Sequence, residues 1–132
     1  SIARKLDMLA NEELNVRKLI FELQEDYFEK GKISSSEYKR KLDSHQKRLA
    51  QIKKERIKLR NKRIKLLKGE RLIEQLDKET NEVLNAIKKL QRDYYEKKKI
   101  PKNVYDELIN SYHERLAEIE DEKLTALLMK KK

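Results

Sequence analysis

The sequence predicts an all-α protein built from two antiparallel helical hairpins in tandem, packed in the manner of a coiled coil. Of its 132 residues, 44% are charged and only two are Gly and one Pro, so there is little material for strands or frequent turns. Its apolar residues recur at alternating spacings of three and four, the seam of a helix that pairs with another helix.

The first helix carries that seam on Ile2, Leu6, Leu9, Val16, Ile20, Leu23 and Tyr27, with one gap at Glu13, and runs to about Lys30. The stretch "GKISSSEY" follows. Gly31 suits the left-handed conformation after a helix end, Ser34 is an N-cap, and Glu37 three residues on completes a capping box. Ile33 before the cap and Tyr38 at the fourth helical position are spaced as a hydrophobic staple. The second helix resumes the seam on Tyr38, Leu42, His45, Leu49, Ile52, Leu59 and Leu66, interrupted by Arg56 and Arg63.

The chain then repeats itself. "EDYFEKGKISSSEYKRKL" begins at Glu25 and "RDYYEKKKIPKNVYDELI" at Arg92, a constant offset of 67, and "RLAQI" from Arg48 returns as "RLAEI" from Arg115. Pro101 replaces the serine cap and suits the first turn of a helix, where its missing N–H is no loss; the spacing of Ile100 to Tyr105 keeps the staple. This is a duplicated hairpin, residues 1–67 and 68–132, forming one elongated unit.

Between the copies Gly69 is the only residue that disfavours helix, at about 1 kcal/mol relative to Ala. On that reasoning one long central helix, shared by both hairpins, runs from about Ser35 to Lys98, some ~96 Å at the α-helical rise. The alternative puts a turn at Lys68 and Gly69 and folds the chain into a four-helix up-down-up-down bundle.

Two-helix cores are thin. Each buried apolar side chain contributes about 1.5 to 3 kcal/mol against about 1 to 2 kcal/mol of ordering cost for every residue. Apolar residues off the seam, including Leu14, Leu19, Phe21, Phe28, Ile57, Ile64 and Leu67, widen the stripe beyond what one helix covers. The expected association seam comprises Leu6, Leu9, Val16, Ile20, Leu23, Leu42, Leu49, Ile52, Val83, Ile87, Leu90, Leu116 and Ile119. A homo-oligomer, most simply a dimer, and a further protein partner are the expected company.

Charge is unevenly placed. Residues 39–71 hold fifteen Lys and Arg against three acidic residues, a net of +12, while the rest of the chain nets −2. The candidate residues for an anionic partner are Lys53, Lys54, Arg56, Lys58, Arg60, Lys62, Arg63, Lys65, Lys68 and Arg71, which would attract nucleic acid by counterion release or acidic lipid headgroups. The competing account is a solvated, internally paired face, because acidic residues such as Glu12, Glu13 and Glu22 on the first helix lie opposite part of it.

Catalytic chemistry finds no foothold. His45 and His113 are not at equivalent repeat positions, and neither has a metal-binding partner at helical spacing. There is no Gly-rich phosphate loop and no nucleophile elbow, so the expectation is a non-enzyme without cofactor or metal. Cysteine is absent, and no apolar run approaches a membrane span. A chain opening on Ser1 and closing on "MKKK" without a cap signal reads as part of a longer protein, facing the cytoplasm and in that case the soluble part of a larger or membrane-associated protein.

The run Leu23 to Tyr27 followed by "EKGKISSSEYKRKL" resembles the helix, G-x-I-[ST], E-[YF], helix hairpin of short C-terminal (SHOCT-like) domains and of cytoplasmic tails of prokaryotic, especially archaeal, membrane proteins. The resemblance covers about fifteen residues in each copy, and the second lacks both Gly31 and the Ser-Glu cap. It implies an oligomerisation or adaptor role, that is, a coiled-coil scaffold for protein–protein association.

Overall fold

A computed structural model describes residues 1–67 and 69–130, Lys130 by its backbone alone. The described residues form helices α1 (Ile2–Gln24), α2 (Ser35–Leu66), α3 (Glu70–Gln91) and α4 (Lys102–Lys130), with π-helical turns at Glu25–Glu29 and Arg92–Glu96 continuing α1 and α3. No strand is present among them. Two compact units result, Ser1–Leu59 and Arg60–Lys132.

In the first unit α1 opens on Ser1, whose hydroxyl accepts the Arg4 N–H at 3.3 Å, so the chain does open on a helix cap, against the expectation of none. Leu9, Val16 and Ile52 form the core of the unit, with Ile20, Leu49 and Leu59 packed against it. At the far end of α1 the helix widens by one residue per turn. Lys30 N–H donates to Glu25 C=O at 2.9 Å and Lys32 N–H to Asp26 C=O at 2.8 Å. Gly31 then takes φ +59°, and Ser34 Oγ accepts the Glu37 N–H at 3.0 Å, the cap and turn expected there. The tip is clasped by Tyr27 stacked on Tyr38, ring centroids 4.4 Å apart and 7° from parallel.

The second unit repeats this tip in its essentials. Lys97 N–H reaches Arg92 C=O at 3.0 Å, Lys99 N–H reaches Asp93 C=O at 2.9 Å, and Tyr94 stacks on Tyr105 at 4.2 Å and 10°. Pro101 occupies the place of Ser34 just before α4, its carbonyl accepting the Tyr105 N–H at 3.0 Å. Lys98 occupies the place of Gly31 and keeps the left-handed backbone at φ +51°. A side chain in that region costs about 1–2 kcal/mol. Lys98→Gly is therefore expected to raise the urea midpoint of unfolding at unchanged slope, a gain of about 0.5–1 kcal/mol after the extra freedom glycine gives the unfolded chain.

The core of the second unit holds Ile64, Leu72, Leu76, Val83, Ile87, Ile119 and Ala126, with Leu67, Ile73, Ile109, Tyr112 and Leu116 packed on it. It corrects the expectation of one unbroken central helix. α2 stops at Leu66 and α3 starts at Glu70, with Gly69 at φ +72° and ψ −141° between them. That backbone region is nearly exclusive to glycine and costs other residues about 1–3 kcal/mol, although nothing lies within 4 Å of where a Cβ would stand. The last turns of α2 fold back along α3, carrying Ile64 into the core. The break falls where the alternative expectation put a turn, at Lys68 and Gly69; Lys68 lies outside the described residues. The two compact units divide after Leu59, so the last turns of α2 belong to the second.

Candidate functional site

Each charged residue that interrupts the seam meets an opposite charge. Glu13 of α1, the gap in the first helix, accepts a hydrogen bond from Arg56 of α2, the interruption in the second, and a further one from Arg17 at 3.2 Å. Glu13 and Arg56 are both buried. At the edge of the same unit Glu12 Oε1 accepts from Arg48 Nη2 at 2.6 Å, and this bond holds the Glu12 carboxyl below its ordinary value against partial desolvation.

The second unit contains a larger buried cluster. Glu122 Oε1 accepts from Arg60 Nη1 at 2.9 Å and from Arg63 Nη2 at 2.7 Å, while its Oε2 accepts from Arg63 Nε at 2.8 Å. Glu79 completes the group, its Oε2 lying 2.6 Å from Arg63 Nη2. Arg63 is fully buried, at 0% exposure. Burial works against its charge, but the Glu122 hydrogen bond and the fields of Glu79 and Glu122 outweigh that and hold its pKa above the ordinary value. Arg60 Nε and Arg63 Nη1 are buried without a hydrogen-bond partner among the described residues.

These pairings redraw the candidate anionic-partner set. Arg56, Arg60 and Arg63 face inward and are engaged by carboxylates of their own unit, so they do not belong to an outward binding face. Arg56 and Arg63 lie on the seam and Arg60 beside it, all three buried, and desolvated guanidinium groups need carboxylates beside them. Lys53, Lys54, Lys58, Lys62, Lys65 and Arg71 are exposed, and Lys68 lies outside the described residues.

Of the seam residues, Leu6, Leu9, Val16, Leu23, Ile52, Val83, Ile87, Leu90 and Ile119 are buried, and Ile20, Leu42, Leu49 and Leu116 are half-buried. Sequence reasoning missed Leu72, Leu76, Leu108 and Ala126 as core residues, although Leu72, Leu76 and Val83 keep a spacing of four and seven that signalled them, while Tyr105, expected in the staple, is buried. Ile64 and Leu67, off the seam by spacing, serve the second core.

Apolar surface remains outside both cores. In the first unit a groove of about 660 Å³ runs between α1 and the later part of α2, lined by Met8, Leu9 and Leu59 with Lys5, Lys58, Glu12 and Glu55 among its polar residues. In the second unit Leu124, Leu127 and Leu128, three and four residues apart on α4, are 51%, 41% and 67% exposed. At the tips Phe28 and Tyr95 meet the stacked tyrosines edge-on and stand 70% and 64% exposed. His45 is half-buried on α2 and His113 exposed on α4. Among the described residues no helix is long and apolar enough to cross a membrane, and no group of three His, Asp or Glu side chains is placed to hold a metal ion.

No protein-family model matches this chain, and no curated protein or solved structure matches it either.

Proposed function

We propose that this chain is a non-enzymatic association module, a helical scaffold or adaptor of the cytoplasm that joins copies of itself or a second protein. The observation that carries this reading is the α4 stripe of Leu124, Leu127 and Leu128, which faces outward while Ile119, Glu122 and Ala126 of the same helix face the core. A helix with apolar residues on both sides has more sticky surface than its own unit covers. The hairpin-tip resemblance to SHOCT-like domains and the cysteine-free composition agree with it.

The test is mass in solution. Light scattering across micromolar concentrations is expected to give more than the 16.0 kDa of one chain, and Leu124→Ser with Leu128→Ser to shift the equilibrium toward that value without loss of helicity. A wild-type chain that stays at one-chain mass throughout overturns the proposal. The second reading, binding of nucleic acid or acidic lipid, is favoured by one observation only: Lys53, Lys54 and Lys58 in the first unit and Lys62, Lys65 and Arg71 in the second stay exposed. It requires an affinity that falls steeply between about 50 and 200 mM salt.

A further inference from the structure

The two hairpin tips share one geometry and differ in charge. Both carry the π-helical turn, the stacked tyrosine pair, and a third aromatic ring edge-on to it at 4.8 Å, Phe28 in the first tip and Tyr95 in the second. Around that ring the residues have diverged in sign. Residues 21–39 hold five acidic and three basic side chains, a net of −2, whereas the equivalent 88–106 hold three acidic and seven basic, a net of +4. Phe21, Glu22 and Glu25 of the first tip stand where the second has Lys88, Lys89 and Arg92. In the second tip Lys88, Gln91, Arg92, Tyr95 and Glu96 line a shallow groove of about 440 Å³.

We propose that the basic tip of the second unit docks onto the acidic tip of the first unit of another copy, with Tyr95 and Phe28 as the apolar anchors. The proposal rests on the association reading and adds to the α4 stripe a second contact, head-to-tail, that uses two different surfaces of the same chain. An exposed ring among charged residues gives a small apolar centre with a polar rim, the anatomy of a protein contact. Like tips repel each other through Arg92 against Arg92 or Glu25 against Glu25, so charge selects the unlike pair. A phosphate-rich partner would account for the basic tip alone, since the acidic tip presents the same exposed aromatic position and repels phosphate.

The experiment is a charge swap read by sedimentation equilibrium. Glu25→Lys with Glu29→Lys makes both tips basic, and Lys88→Glu with Arg92→Glu makes both acidic; all four positions are exposed, and circular dichroism checks that each variant keeps its helix content. Each variant alone is expected to associate at least tenfold more weakly than the wild type at low salt. An equimolar mixture of the two is expected to recover the loss, and about 0.5 M salt to abolish the difference. Phe28→Ser is expected to weaken association at both salt concentrations. If the wild type associates and neither charge variant changes that, the tip contact is overturned while the association reading stands. A wild type that does not associate overturns both. Anionic vesicles bound by the wild type and not by the Lys88→Glu, Arg92→Glu variant, with self-association unaltered, make lipid the occupant of the groove and also overturn it.

Discussion

Glu122→Ala is expected to remove about 3–5 kcal/mol from the unfolding free energy of the second unit. Among the described residues Glu122 is the only carboxylate that both Arg60 and Arg63 approach closer than 3 Å, and its removal leaves two buried guanidinium groups with Glu79 as their remaining carboxylate. A small domain has roughly 5–15 kcal/mol in total, so the loss is a large share of it. Denaturant unfolding followed by amide exchange separates the units: protection in α3 and α4 collapses, whereas residues 1–59 keep theirs. Retained protection in α3 and α4 contradicts a structural role for the cluster. Exchanging all four charged residues for apolar ones of similar volume is a different matter and comes out near neutral, because the desolvation of the ions disappears along with their attraction.

Arg56→Met is the corresponding test in the first unit. It leaves Glu13 buried with Arg17 as a remaining partner at 3.2 Å, so the expected loss is about 3 kcal/mol, the low end of the range for a broken buried pair. Adding Glu13→Leu to Arg56→Met is expected to return most of it. The denaturation midpoint of the double variant, compared with both single variants, gives the coupling between the two positions. Losses that simply add would mean that Glu13 and Arg56 do not act as a pair.

Most of the hairpin logic is legible in the sequence because it is local. Ser34 with Glu37, Gly31, and the two tyrosines of each tip act within about fifteen residues of one another, and the offset of 67 carries the pattern from one copy to the next. The turn at Gly69 is not legible from propensity, which sees a single glycine as a small cost. What decides it is the burial of Ile64 together with the pairing of Arg60 and Arg63 with Glu122, 62 and 59 residues away. The same blindness to distant partners puts Arg56, Arg60 and Arg63 on an outward basic face when the sequence is read alone. A positive charge at a seam position reads as an interruption until its carboxylate is found, and for Arg56 that carboxylate is the gap at Glu13. The left-handed backbone of Lys98 is hidden by its identity, since position 31 advertises the conformation with glycine and position 98 does not.

The widened turn at each tip also sets a phase. In an α-helix each residue advances the side-chain direction by about 100°, and one extra residue in a turn rotates everything beyond it relative to the seam. Tyr27 and Tyr94 sit inside the widened stretch, and each ring lies flat against its counterpart on the returning helix. The spacing of either hairpin is therefore expected to tolerate insertions near its apex poorly, whereas farther along the helices it is the exposed positions that exchange at little cost and the buried charges Glu13, Arg56, Arg63 and Glu122 that do not. Duplication copied an angular offset along with the letters, and that offset, more than any individual side chain, is what the two tips have in common.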